Sequence, residues 1–350
     1  MSETMKAWVL HEKEQLLLED RPMPVPKDGE VLIKIKAMGI CGSDVHFYTD
    51  LKIGDATYTH GNPLILGHEC AGEIVAVGKA CKHAKVGDRV VVEPGKPCMH
   101  CEACRSGHYN FCPNRYFMGT YPDDGCMCEY VAWPEFLTYK MPDTMSWQEG
   151  SMVEPFVVGL QAVRNSGIGF SDTAAVLGTG TIGLMVITAL KVAGVSKIIA
   201  IGRNAGKLEI ARKVGATHLI NSKECKDVQK AVFDLTDGLG APYVFECVGS
   251  NQTFWQVNDY AREGGTVIYV GLVTEDGTPM PMASMVMKGL TYKTVMRYTN
   301  LFDRAIMILE NKQADILQFM TNQYPFLEGD IAFQRAVTDK KTSIKSVINF

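Results

Sequence analysis

The stretch Thr173-Ala174-Ala175-Val176-Leu177-Gly178-Thr179-Gly180-Thr181-Ile182-Gly183 opens a segment running to Asn204. The apolar run Ala174–Leu177 reads as a strand. Leu184 to Ala193 has helical length, and Gly194 stops it. A second strand, Lys197 to Ile201, ends at Gly202-Arg203-Asn204. A G-x-G-x-x-G that follows a strand, opens a helix and sits in a βαβ unit is the context in which such a loop cradles a pyrophosphate. Gly178 serves a tight turn, Gly180 a close backbone approach, and Gly183 helix–strand packing. Thr181 and Ile182 stand at the helix N-terminus, where free N–H groups and partial positive charge favour phosphate.

Outward from this unit the alternation continues. Lys207–Val214, Glu224–Leu235 and Phe254–Arg262 read as helices; Thr217–Ile220, Tyr243–Cys247 and Gly265–Val270 read as strands. This pattern argues a doubly wound α/β parallel sheet of Rossmann type. Val248, Val270, Gly271 and Leu272 fall at strand C-termini, the edge where ligands sit, and are expected to line a nicotinamide. Cys225 and Cys247 read as plain thiols. An NAD site usually carries an acidic residue about 20 residues after the loop. Here that place holds Gly202, with Arg203 and Asn204 after it. Arg203 can grip a 2′-phosphate and Lys207 can assist, so NADP is expected over NAD, with NAD still possible.

Upstream, short strands punctuated by Gly and Pro suggest a partly open β-barrel. Met5–Leu10 and Leu16–Leu18 read as a hairpin, and Val31–Ala37, Gly72–Gly78 and Arg89–Val92 as strands. Cys98-x2-Cys101-x2-Cys104-x7-Cys112 suits a closed tetrahedral zinc site. An iron–sulfur cluster is the rival reading, although the x7 gap departs from the usual cluster run. Cys41, His68 and Glu69 are each good zinc ligands, but each also has an ordinary role, and spacing alone does not decide.

Composition bounds the rest. At 350 residues, two domains are expected. With 46% apolar and 21% charged residues, the chain reads as soluble and globular. A net charge of −4 without a basic run argues against nucleic acid. No apolar run reaches the roughly 20 residues that cross a bilayer, and no secretion signal is evident, so neither a membrane nor export is expected. Eleven cysteines in a cytoplasmic setting suggest metal ligands rather than disulfides.

Cys41-Gly42-Ser43-Asp44, Gly67-His68-Glu69 with Gly72, the four-cysteine loop and Gly178–Gly183, in this order, resemble the zinc-dependent medium-chain dehydrogenase/reductase (alcohol dehydrogenase) family. Val45-His46, Tyr121-Pro122-Asp123-Asp124-Gly125, Val153-Glu154-Pro155 and Arg297-Tyr298-Thr299-Asn300 resemble its sorbitol/xylitol (polyol) branch. The resemblance implies a GroES-like catalytic domain over 1–156, a Rossmann domain over 157–289 and a return to the first domain over 290–350, with the active site in the cleft. It implies two zinc ions per chain. Cys41, His68 and Glu69 would hold the catalytic one, with Glu154 contacting its water or substituting as a ligand; Cys98, Cys101, Cys104 and Cys112 would hold the structural one. Ser43 and His46 would relay the alcohol proton. Phe47, Tyr121, Glu154, Arg297 and Tyr298 would contact substrate, and Arg297 also the cofactor. Phe47 stands where the branch often has tyrosine, with Tyr48 next, which moves the polyol contact. Met280–Met287 would be a strand joining subunits of a dimer or tetramer, or else a core strand.

The expected activity is hydride transfer between a small-molecule polyol or secondary alcohol and NADP. A threonine-, butanediol- or polyol-phosphate-type enzyme of the same family is the alternative. A non-catalytic NADPH- and zinc-binding protein is the alternative of another class.

Overall fold

A computed structural model describes residues 3–53, 56–58, 61–273 and 277–350. The chain divides into two compact units. The first comprises Met1–Glu154, Phe302–Glu310 and Met320–Phe350; the second comprises Pro155–Leu301 and Asn311–Phe319.

In the first unit the organising strand is Glu30–Gly39, whose Val31, Ile33, Ile35 and Ala37 are fully buried. One edge pairs antiparallel with Glu69–Val77, placing Gly39 opposite Glu69. The other edge is shared by Tyr130–Pro134 and, further along, by Lys345–Asn349, with Val347 opposite Gly39. Arg89–Val92 and Thr138–Lys140 extend one side, and Met320–Pro325 the other, completing a seven-stranded sheet. A three-stranded sheet is built on the hairpin Thr4–Glu12 and Gln15–Pro22. Trp8, Phe47, Tyr48, Trp133 and Phe333 fill the core of this unit. The pairing brings the residues just after Gly39, those just before Glu69 and Lys345 to one end of the sheet.

The second unit is a six-stranded parallel sheet. From Thr173–Leu177 the order runs one way through Lys197–Gly202 to His218–Asn221, and the other way through Ala241–Glu246 and Ala261–Tyr269 to Thr291–Thr294. The order therefore reverses beside Gly178, the place where ligands bind in doubly wound sheets. After Thr173 this strand is apolar and buried, Ala174 to Leu177, because both of its faces are covered. The helix Thr181–Val192 follows, with Gly183 to Leu190 all buried, and Gly194 leaves it at φ +77°.

Three details differ from the sequence reading. The helix expected from Glu224 starts only at Val228, because the Asp227 side chain accepts the Lys230 N–H at 2.8 Å and caps it there. Met280–Met287 is not a strand: Met282–Met287 is a helix, rich in Met and Ala and opened by Pro281. The strand of this region is Thr291–Thr294, so the parallel sheet runs past residue 289, and the chain re-enters the first unit at Phe302. Among the described residues no helix is long and apolar enough to cross a membrane.

Candidate functional site

Cys41, His68 and Glu69 converge at the end of the seven-stranded sheet, their ligand atoms all within 4.8 Å of one another. Each is set by backbone geometry. Cys41 is the N-cap of the helix Gly42–Asp50. Asp44, 1% exposed, accepts from Cys41 N–H at 2.9 Å and from Gly67 N–H at 3.1 Å, tying the two ligand-bearing loops together. A Cβ at Gly39 would lie 2.1 Å from Glu69 Oε2, so only glycine leaves room for that carboxylate.

His68 is buried, with Nδ1 3.3 Å from Asp44 Oδ1 but in no aligned hydrogen bond. Burial opposes its protonation, yet the Asp44 carboxylate and the Cys41 thiol outweigh this and hold its pKa well above the usual histidine value. A soft sulfur, a ring nitrogen and a carboxylate at this spacing suit a zinc ion with one open position.

Lys345 is the residue the sequence reading missed. Its ammonium is 2% exposed and donates to both Glu69 oxygens, at 2.7 and 2.5 Å, and to Ile40 O at 2.9 Å. Burial lowers its pKa, but Glu69 and Cys41 outweigh burial and the net shift is upward. Lys345 opens the strand Lys345–Asn349, whose Lys-Ser-Val-Ile-Asn sequence gives no sign that four of its five residues, the cation included, are buried.

The other expected residues fall as follows. Glu154 is buried at the start of the helix Val153–Ser166 and lies outside the three-ligand cluster. Ser43 Oγ is 3.5 Å from His68 Nε2. His46, on the same helix, is 42% exposed and contacts Asp50 at 3.3 Å. Phe47 is 1% exposed and belongs to the core. The Tyr121 hydroxyl accepts from Asn62 at 3.1 Å, and its ring meets Tyr58 edge-on.

In the second unit Tyr298 is buried between Arg297 and Asn300, two non-glycine residues at φ +54° and +51°. Such backbone is uncommon, and packing must hold it. Arg164 supplies part of that hold, donating to Thr299 O at 3.0 Å and to Oγ1 at 2.9 Å.

The four-cysteine loop closes on itself. Cys101 and Cys104 sulfurs are 3.4 Å apart, Cys98 and Cys104 4.0 Å, and Cys98 N–H donates to Cys112 Sγ at 3.3 Å. Four thiolates about 2.3 Å from a central zinc would be about 3.8 Å from each other, so the spacing fits. All eleven cysteines are free thiols. Sulfurs crowded this closely share charge unevenly. The His100 N–H brings Cys98 down to about 6, and burial pushes Cys104 up to about 12.

The glycine loop combines a turn, an open position and a packed one. Gly178 sits at φ +111° and faces Val248 and Cys247; a Cβ at Gly183 would come within 1.9 Å of Gly178 O. A Cβ at Gly180 would meet nothing within 4 Å, which leaves the backbone open to a phosphate at the helix N-terminus. Thr181 and Ile182 open that helix, half-exposed. Gly202 is required sterically, since a Cβ there would lie 2.6 Å from Thr179 Oγ1. Arg203 is exposed. Asn204 caps the next helix, accepting from Lys207 N–H at 3.0 Å. Val248 and Leu272, each more than half exposed, present apolar side chains beyond the strand C-termini beside Val270 and Gly271.

The family model for the alcohol dehydrogenase GroES-like domain matches residues 27–143, and that for zinc-binding dehydrogenases matches 181–311. The chain belongs to the zinc-dependent medium-chain alcohol dehydrogenase family and is an alcohol oxidoreductase. It is 36% identical over 346 residues to the sorbitol dehydrogenase of Bacillus subtilis (strain 168), covering 99% of this chain and 97% of that one. It is 38% identical over 333 residues to the D-xylulose reductase of Morganella morganii, covering 95% and 97%. These relatives place it in the polyol branch. An Escherichia coli oxidoreductase/dehydrogenase of unknown specificity, involved in membrane biogenesis, superposes with a TM-score of 0.94 at 34% identity, covering 99% of each chain.

Proposed function

We propose that the chain interconverts a polyol of sorbitol or xylitol type and its ketose, using NADP in preference to NAD and two zinc ions per chain. When bound, zinc lowers the pKa of an alcohol hydroxyl and stabilises the developing alkoxide, and the nicotinamide accepts the hydride. Cys41, His68 and Glu69 would hold the catalytic ion, Glu154 its water; Cys98, Cys101, Cys104 and Cys112 would hold the structural one. Cys41 and Glu69 bring negative charge that tempers the ion, while Lys345 draws on the same Glu69 oxygens. Ser43 accepts the hydroxyl proton, and His46, one helical turn on and partly exposed, passes it to water. Tyr121, Arg297 and Tyr298 contact substrate hydroxyls.

The single observation that carries the mechanism is the buried Cys41–His68–Glu69 cluster. The preference for NADP rests on exposed Arg203 beside Gly202, where a carboxylate would repel a 2′-phosphate. A homo-oligomer is supported by the open edge strand Thr291–Thr294 and by exposed Met282, Val286 and Met287 on the neighbouring helix. Free thiols throughout suit a reducing, cytoplasmic compartment.

The test is oxidation rate over sorbitol, xylitol, threonine, butanediol, a polyol phosphate and simple secondary alcohols, each with NADP and with NAD. Polyol turnover should dominate. Arg203→Ala should raise KM for NADP about tenfold and leave KM for NAD within about twofold. Faster turnover of threonine or a diol would move the substrate pocket. Equal effects on the two cofactors would remove the role of Arg203.

A further inference from the structure

Glu246 ends the strand Ala241–Glu246 and is completely buried. Its side chain turns back on the loop that follows. Oε1 accepts from Val248 N–H at 2.9 Å and from Gly249 N–H at 3.0 Å, and Oε2 lies 3.3 Å from the same Gly249 nitrogen. The Thr253 hydroxyl, which donates to Ser250 O at 3.0 Å, is hydrogen-bonded to the carboxyl as well. The Glu246 main-chain oxygen accepts from Val270 N–H at 2.8 Å and Gly271 N–H at 3.0 Å. One residue therefore ties together the two loops that carry Val248, Val270, Gly271 and Leu272.

The fit is tight enough to require glycine on both sides. A Cβ at Gly271 would lie 2.4 Å from Glu246 Oε2, and one at Gly249 would lie 2.4 Å from Leu272 O.

The protonation state follows from the neighbours. Burial pushes the carboxyl pKa up, and the Gly249, Thr253, Val248 and Gly271 hydrogen bonds pull it back. The three backbone N–H groups can only donate. A neutral acid would need an acceptor for its proton, whereas a carboxylate only accepts. Among the described residues no cationic side chain takes part. The charge is thus held by dipoles rather than neutralised by an ion partner, and its field is felt nearby in a medium of low dielectric.

We propose that Glu246 is a positioning residue that also biases the site toward the oxidised, positively charged nicotinamide over the neutral reduced form, by fixing a negative charge against the loops that line the ring. This rests on the nicotinamide reading of those loops. Two effects of the carboxylate separate cleanly. Clamping the loops strengthens both redox forms of the cofactor alike. The charge strengthens only the cationic one.

The experiment is calorimetric titration of wild-type protein and Glu246→Gln with oxidised and reduced NADP separately. The ratio of the oxidised to the reduced Kd should rise about tenfold in the variant. Equal changes in both constants, or none, would reduce Glu246 to a purely structural residue and overturn the proposal. Should the amide variant not fold, Glu246→Asp carries the test. It keeps the charge and loosens the clamp, so both forms should weaken with the ratio within about threefold of wild type. A tenfold change of ratio in that variant would overturn the proposal. Wild-type protein that binds neither form of NADP nor either form of NAD would overturn the nicotinamide reading and this proposal with it; wild-type binding with an unchanged ratio in Glu246→Gln overturns this proposal alone.

Discussion

The two candidate metal sites are built on opposite plans. Cys98, Cys101, Cys104 and Cys112 lie in one loop, and their convergence needs little beyond two short turns. Cys41 comes from one segment and the adjacent His68 and Glu69 from another, and Lys345, which grips Glu69, is 276 positions further along the chain. The first site is a local clip; the second exists only when three strands of one sheet are in register. Local sites suit stability and non-local ones suit chemistry, because a ligand set assembled from several elements can leave one face of an ion open.

Mutations should split the sites along this line. Cys41→Ala is expected to have the largest effect, lowering turnover about a thousandfold while nicotinamide Kd stays within about twofold. Surviving activity would mean that the non-local site is not catalytic. Cys101→Ser should act on folding instead, destabilising the protein by about 3 kcal/mol in denaturant titrations while turnover persists at low temperature. Metal analysis should fall from two ions per chain to one in each variant. A variant of Cys101 that is stable but inactive would erase the distinction.

Glu93 offers the finest test, because it stands where the two sites meet. It is 1% exposed and accepts from Tyr139 at 2.7 Å and from Tyr109 of the cysteine loop, with Glu154 nearby. Burial raises its pKa to about 7. An unfolded glutamate titrates near 4.3, so the unfolded chain releases this proton first as pH rises. The stability that neutral Glu93 contributes is therefore full below about pH 4 and lost as pH rises through about 7, a difference of about 3 kcal/mol. Unfolding free energy against pH should show this slope in the wild type and flatten in Glu93→Gln. The slope should steepen in Cys101→Ser, where release of Tyr109 removes a hydrogen bond that holds the Glu93 pKa down. A slope unaffected by Cys101→Ser would show that the clip does not reach the second site.

Local features were legible in proportion to how few residues they needed. Within the glycine loop, Gly178 and Gly183 are legible because each answers a nearby turn or clash, such as Gly183 against Gly178 O. The helix at Met282–Met287 was misread because an apolar run of that length does not show its period, and Met and Ala favour a helix on propensity alone. Phe47 was expected at the substrate and lies in the core, since a motif position does not reveal which way a helix face turns.

By itself, then, the sequence determined the class of fold, the βαβ unit with its glycine loop and the four-sulfur clip, all of which depend on spacings of a few residues. Only the tertiary structure decided that Lys345 belongs to Glu69, that Asp44 ties both ligand loops, and that Glu246 and Glu93 are buried carboxylates held by donors. The physical reason is the same in each case. A buried charge is tolerable only beside particular partners, and those partners come from strands whose neighbours in space are distant in sequence.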